Sequence, residues 1–185
     1  TPVSGRLEWE DDAAGNRTEY QYSGTSPLPT GIKHLEGGAT VLTTTLAYDA
    51  LGRVISESTG GTTTIRRLDE VGNPLAVTAA GLTTAYAYDS RGLILSASGP
   101  ATRLTTLGYD LAGRVVRERV AREGGGTEDT VTTYDPATGW PAAVAHPDGS
   151  TEGFTYDPDG QVATQVNRLG LTLTSSYNKA NQPVR

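Results

Sequence analysis

The sequence contains no cysteine in 185 residues, which excludes a disulfide framework, a thiolate metal site and a cysteine nucleophile together. Methionine is also absent, and there are only one phenylalanine and two tryptophans, so a thick core of large apolar side chains is not expected. His34 and His146 are the only histidines. Neither has a second histidine or a carboxylate at metal-ligand spacing, so both are read as surface or turn residues. No apolar run approaches the roughly 20 residues that cross a bilayer. The opening Thr1-Pro2-Val3-Ser4-Gly5-Arg6 lacks the apolar stretch of a signal peptide, so any export signal is expected outside this segment. Lysine is scarce, 2 against 13 arginines, and a net charge of −6 with a pI near 4.9 argues against a nucleic-acid or anionic-membrane surface. No stretch sustains a helical period.

What is present is glycine, 23 residues of 185, together with nine tyrosines and many threonines and valines. β-Branched residues suit strands and glycine suits tight turns. With 36% hydrophobic residues, a thin sheet with one half-buried face fits this composition.

The chain repeats. An aromatic or apolar residue, an acid, two or three variable residues and then glycine recur at Tyr48-Asp49-Ala50-Leu51-Gly52-Arg53, Leu68-Asp69-Glu70-Val71-Gly72-Asn73, Tyr88-Asp89-Ser90-Arg91-Gly92-Leu93, Tyr109-Asp110-Leu111-Ala112-Gly113-Arg114, Tyr134-Asp135-Pro136-Ala137-Thr138-Gly139 and Tyr156-Asp157-Pro158-Asp159-Gly160-Gln161. Successive acids lie 20, 20, 21, 25 and 22 residues apart, a period that dominates any other pattern. Degenerate copies flank the series at Asp12–Arg17, with Asp11 where tyrosine would stand, and at Tyr177–Gln182, where asparagine replaces both acid and glycine. Tyr22-Ser23-Gly24 reads as an eroded unit with a longer loop.

Each Asp-x-x-Gly places the acid first and glycine fourth in a type I turn, the arrangement of hairpins closed by a glycine bulge. The carboxylate accepts N–H bonds inside the turn, and glycine takes positive φ without steric cost. A weaker glycine signal falls at mid-period, at Gly60-Gly61, Gly81, Gly99, Gly124-Gly125-Gly126, Gly149 and Gly170. Each period therefore holds two turns and two strands of about six residues. Leu42, Thr44, Leu46 and Tyr48 share one parity, as do Leu82, Thr84, Tyr86 and Tyr88, so one face is apolar and tyrosine closes it before the turn. There its ring is placed to pack on the ring of the next hairpin while its hydroxyl reaches solvent or a backbone group.

The expected fold is all-β: tandem antiparallel β-hairpin repeats in a long curved sheet. It forms a single array over residues 1–185, with degenerate units over 1–47, regular units over 48–165 and a degenerate terminal unit over 166–185. Such hairpins do not bury their apolar faces alone. The pattern runs to both ends without a capping element, and the chain is read as a piece of a longer polypeptide.

Tyr-Asp-x-x-Gly-Arg at a period near 20, intact at Tyr48–Arg53 and Tyr109–Arg114, resembles the YD repeats of the Rhs family over essentially the whole chain. The resemblance implies a β-sheet strip spiralling into a hollow cocoon, as in Rhs polymorphic toxins, the C component of Tc toxins and teneurins. It implies a wall that encloses a toxin or cargo domain until delivery. Bacterial members often end in a self-cleaving segment with paired aspartates. Asp157-Pro158-Asp159-Gly160 matches four letters of that segment within the regular register, and the protease activity is not carried over.

Other chemistry is weaker. The recurring acids have a local task in every turn, which counts against catalytic pairs or calcium ligands, and no further EF-hand ligands accompany Asp157 and Asp159. Gly124-Gly125-Gly126 lacks the Lys-Ser/Thr of a phosphate loop. No nucleophile elbow supports a Ser-His-Asp triad. Arg66-Arg67 and Arg117-Glu118-Arg119 read as cross-strand ion pairs. The sequence therefore predicts a non-enzymatic wall segment without cofactor or metal. Its motif residues are Tyr48, Asp49, Gly52, Arg53, Asp69, Gly72, Tyr88, Asp89, Gly92, Tyr109, Asp110, Gly113, Arg114, Tyr134, Asp135, Gly139, Tyr156, Asp157, Gly160 and Tyr177. The expected partners are the rest of the shell polypeptide, an enclosed cargo domain and further copies joined through sheet edges, with no nucleic acid and no membrane insertion. The expected location is secreted, cell-surface or delivered by a secretion apparatus. The alternative is an extracellular adhesion module binding carbohydrate or protein.

Overall fold

The computed structural model describes residues 5–100 and 102–184. Thr1–Ser4, part of the opening stretch read as lacking a leader, lie outside the described residues. Among those residues the chain is all-β, with no helix. The strands are β1 (Trp9–Asp11), β2 (Arg17–Tyr22), β3 (Pro29–Glu36), β4 (Ala39–Tyr48), β5 (Val54–Thr59), β6 (Thr62–Leu68), β7 (Pro74–Ala79), β8 (Leu82–Tyr88), β9 (Ile94–Gly99), β10 (Thr102–Tyr109), β11 (Val115–Ala121), β12 (Thr127–Tyr134), β13 (Pro141–Ala145), β14 (Thr151–Tyr156), β15 (Val162–Val166) and β16 (Thr172–Thr174). β17 (Ser176–Tyr177) and β18 (Pro183–Val184) form a separate two-stranded piece. Strands β1 to β16 neighbour one another in chain order. Contacts divide the chain into a first unit that runs to Ala87 and takes in Gly99, and a second that holds Tyr88–Ser98 and resumes at Thr102.

In the first unit the tyrosine-bearing parity is the better covered one. Thr44, Leu46 and Tyr48 on β4, and Thr64, Arg66 and Leu68 on β6, are buried or half-buried, while Thr43, Thr45, Ala47, Thr63, Ile65 and Arg67 between them are exposed. No apolar side chain is fully buried among the described residues, and the one buried polar side chain is Thr44. Within each unit, side chains on adjacent strands shield one another laterally. Cross-strand pairs provide much of that lateral contact. Thr44 Oγ1 meets Thr59 Oγ1 at 2.8 Å and Thr78 Oγ1 meets Thr83 Oγ1 at 2.7 Å. In the second unit Arg119 grips Asp129 with two bonds of 2.7 and 2.8 Å. Arg66 reaches Glu57 at 3.4 Å. The arginine clusters at 66 and 119 are therefore joined to acids on adjacent strands.

Five hairpins closed by the tyrosine- or leucine-aspartate turns slip register by one residue at the same place. Ala47 faces Ser56 but Tyr48 faces Val54, and the slip recurs at Arg67/Leu68, Gly108/Tyr109, Thr133/Tyr134 and Thr155/Tyr156. The extra residue on the outgoing strand makes a β-bulge, which re-aims the last side chain before the turn and increases local twist.

Two features differ from the sequence reading. Asp12–Arg17 keeps the turn chemistry, since Asp12 Oδ1 accepts from Ala14 and Asn16 N–H, but it joins β1 to β2 and so occupies a mid-period turn. The tyrosine-turn position of that period belongs to Tyr22, which shows the same register slip at Gln21/Tyr22. Gly99 is not in a turn: it is the last residue of β9, and a Cβ there would sit 2.5 Å from the Thr83 carbonyl oxygen. Glycine is required by close backbone approach, and the local sequence cannot distinguish that need from a turn. His34 lies within β3 beside Thr18, whereas His146 opens a mid-period turn and contacts Glu152 at 3.3 Å.

Candidate functional site along the tyrosine and aspartate turns

The motif residues converge on a row of turns, which share one sheet edge within each unit because they close alternate hairpins. In the turn after β4, the Asp49 carbonyl accepts from Gly52 N–H at 3.0 Å and the Arg53 carbonyl accepts from Asp49 N–H at 3.0 Å. Asp49 Oδ1 accepts from the N–H groups of Leu51 and Arg53, and Oδ2 from Arg53 Nε at 2.7 Å. Gly52 has φ of +78°, the left-handed conformation this turn demands of its fourth residue. The same carbonyl pattern recurs at Asp69/Gly72, Asp89/Gly92, Asp110/Gly113 and Asp157/Gly160. The turn at Asp135 is one residue longer, with Asp135 N–H donating to Trp140 and Gly139 N–H to Asp135.

The electrostatics follow from these bonds. The N–H of Arg53, then its side chain, hold the Asp49 carboxyl below its ordinary value. The N–H of Leu93 does so for Asp89 and the N–H of Arg114 for Asp110. The N–H of Thr138 lowers Asp135. Each carboxylate is ionised because donors inside the turn favour its charged form.

Tyrosine and arginine tie each turn to its neighbours. The hydroxyls of Tyr48, Tyr109, Tyr134, Tyr156 and Tyr177 donate to the carbonyls of Pro29, Ile94, Val115, Pro141 and Val162, the first residues of the preceding outgoing strands, at 2.7 to 3.2 Å. Tyr22 makes the equivalent bond to Leu7 at 2.6 Å, which assigns the eroded unit its place. Tyr88 also has a partner. In the other direction, Arg53 donates through Nη1 to the Asp69 and Glu70 carbonyls. Arg91 reaches the Asp110 carbonyl, and Arg114 reaches the Gly139 carbonyl at 2.8 Å while its guanidinium lies 4.3 Å from the centre of the Tyr134 ring.

Sequence reasoning placed tyrosine rings against one another. Among the described residues the rings instead meet arginine, as at Tyr134, or tryptophan, as at Tyr156, whose ring centre is 5.0 Å from that of Trp140. Equivalent tyrosines stand two strands apart, about 9.6 Å, too far for ring contact, and the long guanidinium side chain bridges that gap. Arg53 and Arg114 directly after glycine carried this information in the sequence, but only as a motif letter. Trp140 and Gln161 at the same position, where the arginine is lost, were not singled out.

Residues 88–127 match the RHS Repeat family model. A comparison with curated proteins finds no match. Among solved structures, the crystal structure of TcdB2-TccC3-Cdc42 aligns with a TM-score of 0.79 at 17% identity, covering 97% of this chain. The crystal structure of TcdB2-TccC3 without its hypervariable C-terminal region aligns with the same score and identity over 98%. This chain spans 11% of the length of each of those chains. At that identity the likeness shows the fold.

Proposed function

We propose that this RHS-repeat strip is a wall segment of a larger shell that isolates a toxin or other cargo domain until delivery, and that it is a scaffold with no catalytic role. The observation that carries the proposal is the absence of any fully buried apolar side chain among the described residues. Strands that neighbour one another in chain order without a fully buried apolar side chain suit a wall and do not suit a free-standing globular domain. The length of the similar solved chains supports the larger parent. The motif acids support the scaffold role, because their oxygens serve turn backbone at each repeat.

The partners in this reading are adjacent stretches of the same polypeptide, the enclosed cargo, and further copies through exposed sheet edges. Delivery out of the producing cell belongs to the same proposal. The test is the assembly state of the 185-residue chain by light scattering after size exclusion, with circular dichroism on the same sample. β-Rich ordered multimers, or aggregates that bind a hydrophobic dye, are expected. A folded, dye-negative monomer would sink the reading, since a wall cut from a shell exposes apolar faces and unpaired edges.

A further inference from the structure

The aspartate turns are alike in giving their outer carboxylate oxygen a side-chain donor, with two exceptions in adjacent repeats. Oδ2 accepts from Arg53 at Asp49, from Asn73 at Asp69, from Arg91 at Asp89 and from Arg114 at Asp110. At Asp135 and Asp157 the residue after glycine is Trp140 and Gln161, and neither side chain donates to Oδ2 among the described contacts. Every bond to those two acids among the described residues goes to Oδ1, from Ala137 and Thr138 at Asp135 and from Asp159 and Gln161 at Asp157. Arg114, the guanidinium that reaches the Asp135 turn, is already engaged with Asp110, the Gly139 carbonyl and the Tyr134 ring.

Both acids line one cleft of about 510 Å³ in the second unit, together with Trp140, Phe154, Tyr156 and Pro158. That volume lies within the range of ligand sites. The cleft gathers the only phenylalanine of the chain and one of its two tryptophans. Its shape is fixed: the Trp140 indole tilts 54° against the Tyr156 ring and lies so near the backbone of the next turn that a Cβ at Gly160 would come within 2.8 Å of it. The Tyr156 hydroxyl is anchored on the Pro141 carbonyl at 2.9 Å.

We infer that this cleft is a binding site for an arginine side chain presented by a polypeptide segment, with the guanidinium between the Asp135 and Asp157 carboxylates and its flat face on the aromatic wall. Aromatic faces attract cations, and carboxylates pair with the planar guanidinium fork. The neighbouring repeat shows this chemistry within the chain, where Arg114 lies against both an aspartate and a tyrosine ring. The prediction is independent of whether the strip belongs to a shell.

The test is fluorescence titration of the 185-residue chain carrying Trp9→Phe, which leaves Trp140 as the only tryptophan. The probe is acetyl-Gly-Arg-Gly-amide, and the control is the same peptide with citrulline, a neutral isostere. A saturable change in Trp140 emission is expected with the arginine peptide. The citrulline peptide is expected to bind about tenfold more weakly, since a desolvated cation–π contact and a charge pair together are worth about that factor. Asp135→Asn with Asp157→Asn should weaken the arginine peptide similarly. That change preserves the turns, because Asn167 Oδ1 already accepts from Leu169 and Leu171 N–H in an equivalent turn. No saturable change up to about 10 mM peptide, equal binding of the two peptides, or undiminished binding by a folded double variant each overturns the inference. If the double variant does not fold, the comparison of peptides on the parent chain decides.

Discussion

Arg114→Met separates what one guanidinium does between repeats from what it does inside its own turn. The side chain keeps its length and apolar stem but loses the bond from Nη1 to the Gly139 carbonyl at 2.8 Å and the stacking on Tyr134 at 4.3 Å. A half-exposed hydrogen bond contributes about 1 kcal/mol and the cation–π contact about 0.5–1 kcal/mol. The ion pair with Asp110 stays within its own turn and does not enter this sum. The Asp135 turn should therefore open more easily by about 1.5–2 kcal/mol, which is roughly 10- to 30-fold in its opening equilibrium. Hydrogen exchange at the amides of Asp135 and Gly139, both bonded inside that turn, reads this directly, and the Gly52 amide in the first unit is the internal control. Arg114→Lys keeps the charge but has no fork to hold Asp110 Oδ2 and the Gly139 carbonyl at once, so it should recover less than half of the loss. Unchanged exchange at Gly139, or equal acceleration at Gly52 and Gly139, would refute the claim that arginine staples successive turns.

Three further outcomes are expected. Ala80 carries φ of +49° in a two-residue turn with Gly81, a conformation that costs a side-chain-bearing residue about 1 kcal/mol, so Ala80→Gly should raise the urea midpoint. Gly99→Ala should be destabilising by about 1–3 kcal/mol in the same assay, because the new methyl meets the Thr83 carbonyl at 2.5 Å and backbone cannot step aside cheaply. The turn acids, held low by the N–H groups of Arg53, Leu93 and Arg114, and Asp148, lowered to about 2 by its Ser150 contacts, contribute stability that is fully present above their unfolded values. It fades as pH falls through the folded ones. Circular dichroism melts should show a plateau near neutrality and a decline that begins below about pH 4 and continues past pH 2. A decline beginning near pH 6 would refute this assignment to the turn carboxylates.

The sequence by itself determined the all-β class, the period, the two turns per period and the chemistry of the aspartate turn, because all of these are local. Acid at the first position and glycine at the fourth dictate which backbone groups bond, whatever surrounds them. It also determined which strand parity is better covered, since alternation of side chains is a property of the strand itself. Only tertiary structure decided what lies between repeats. Asp12 resembled the other turn acids in its neighbours, yet strand order places its turn among the mid-period ones. Gly99 resembled a turn glycine, yet its need comes from the Thr83 carbonyl sixteen residues earlier. The tyrosine hydroxyls find carbonyls 15 or 19 residues back, and Arg114 finds one 25 residues ahead. Those distances in sequence become single contacts because antiparallel pairing stacks equal points of successive hairpins about two strand spacings apart. The outer oxygens of Asp135 and Asp157 without a side-chain donor likewise emerge only when each turn is seen with its neighbour, since a missing arginine is visible in sequence but the cleft it leaves open is not.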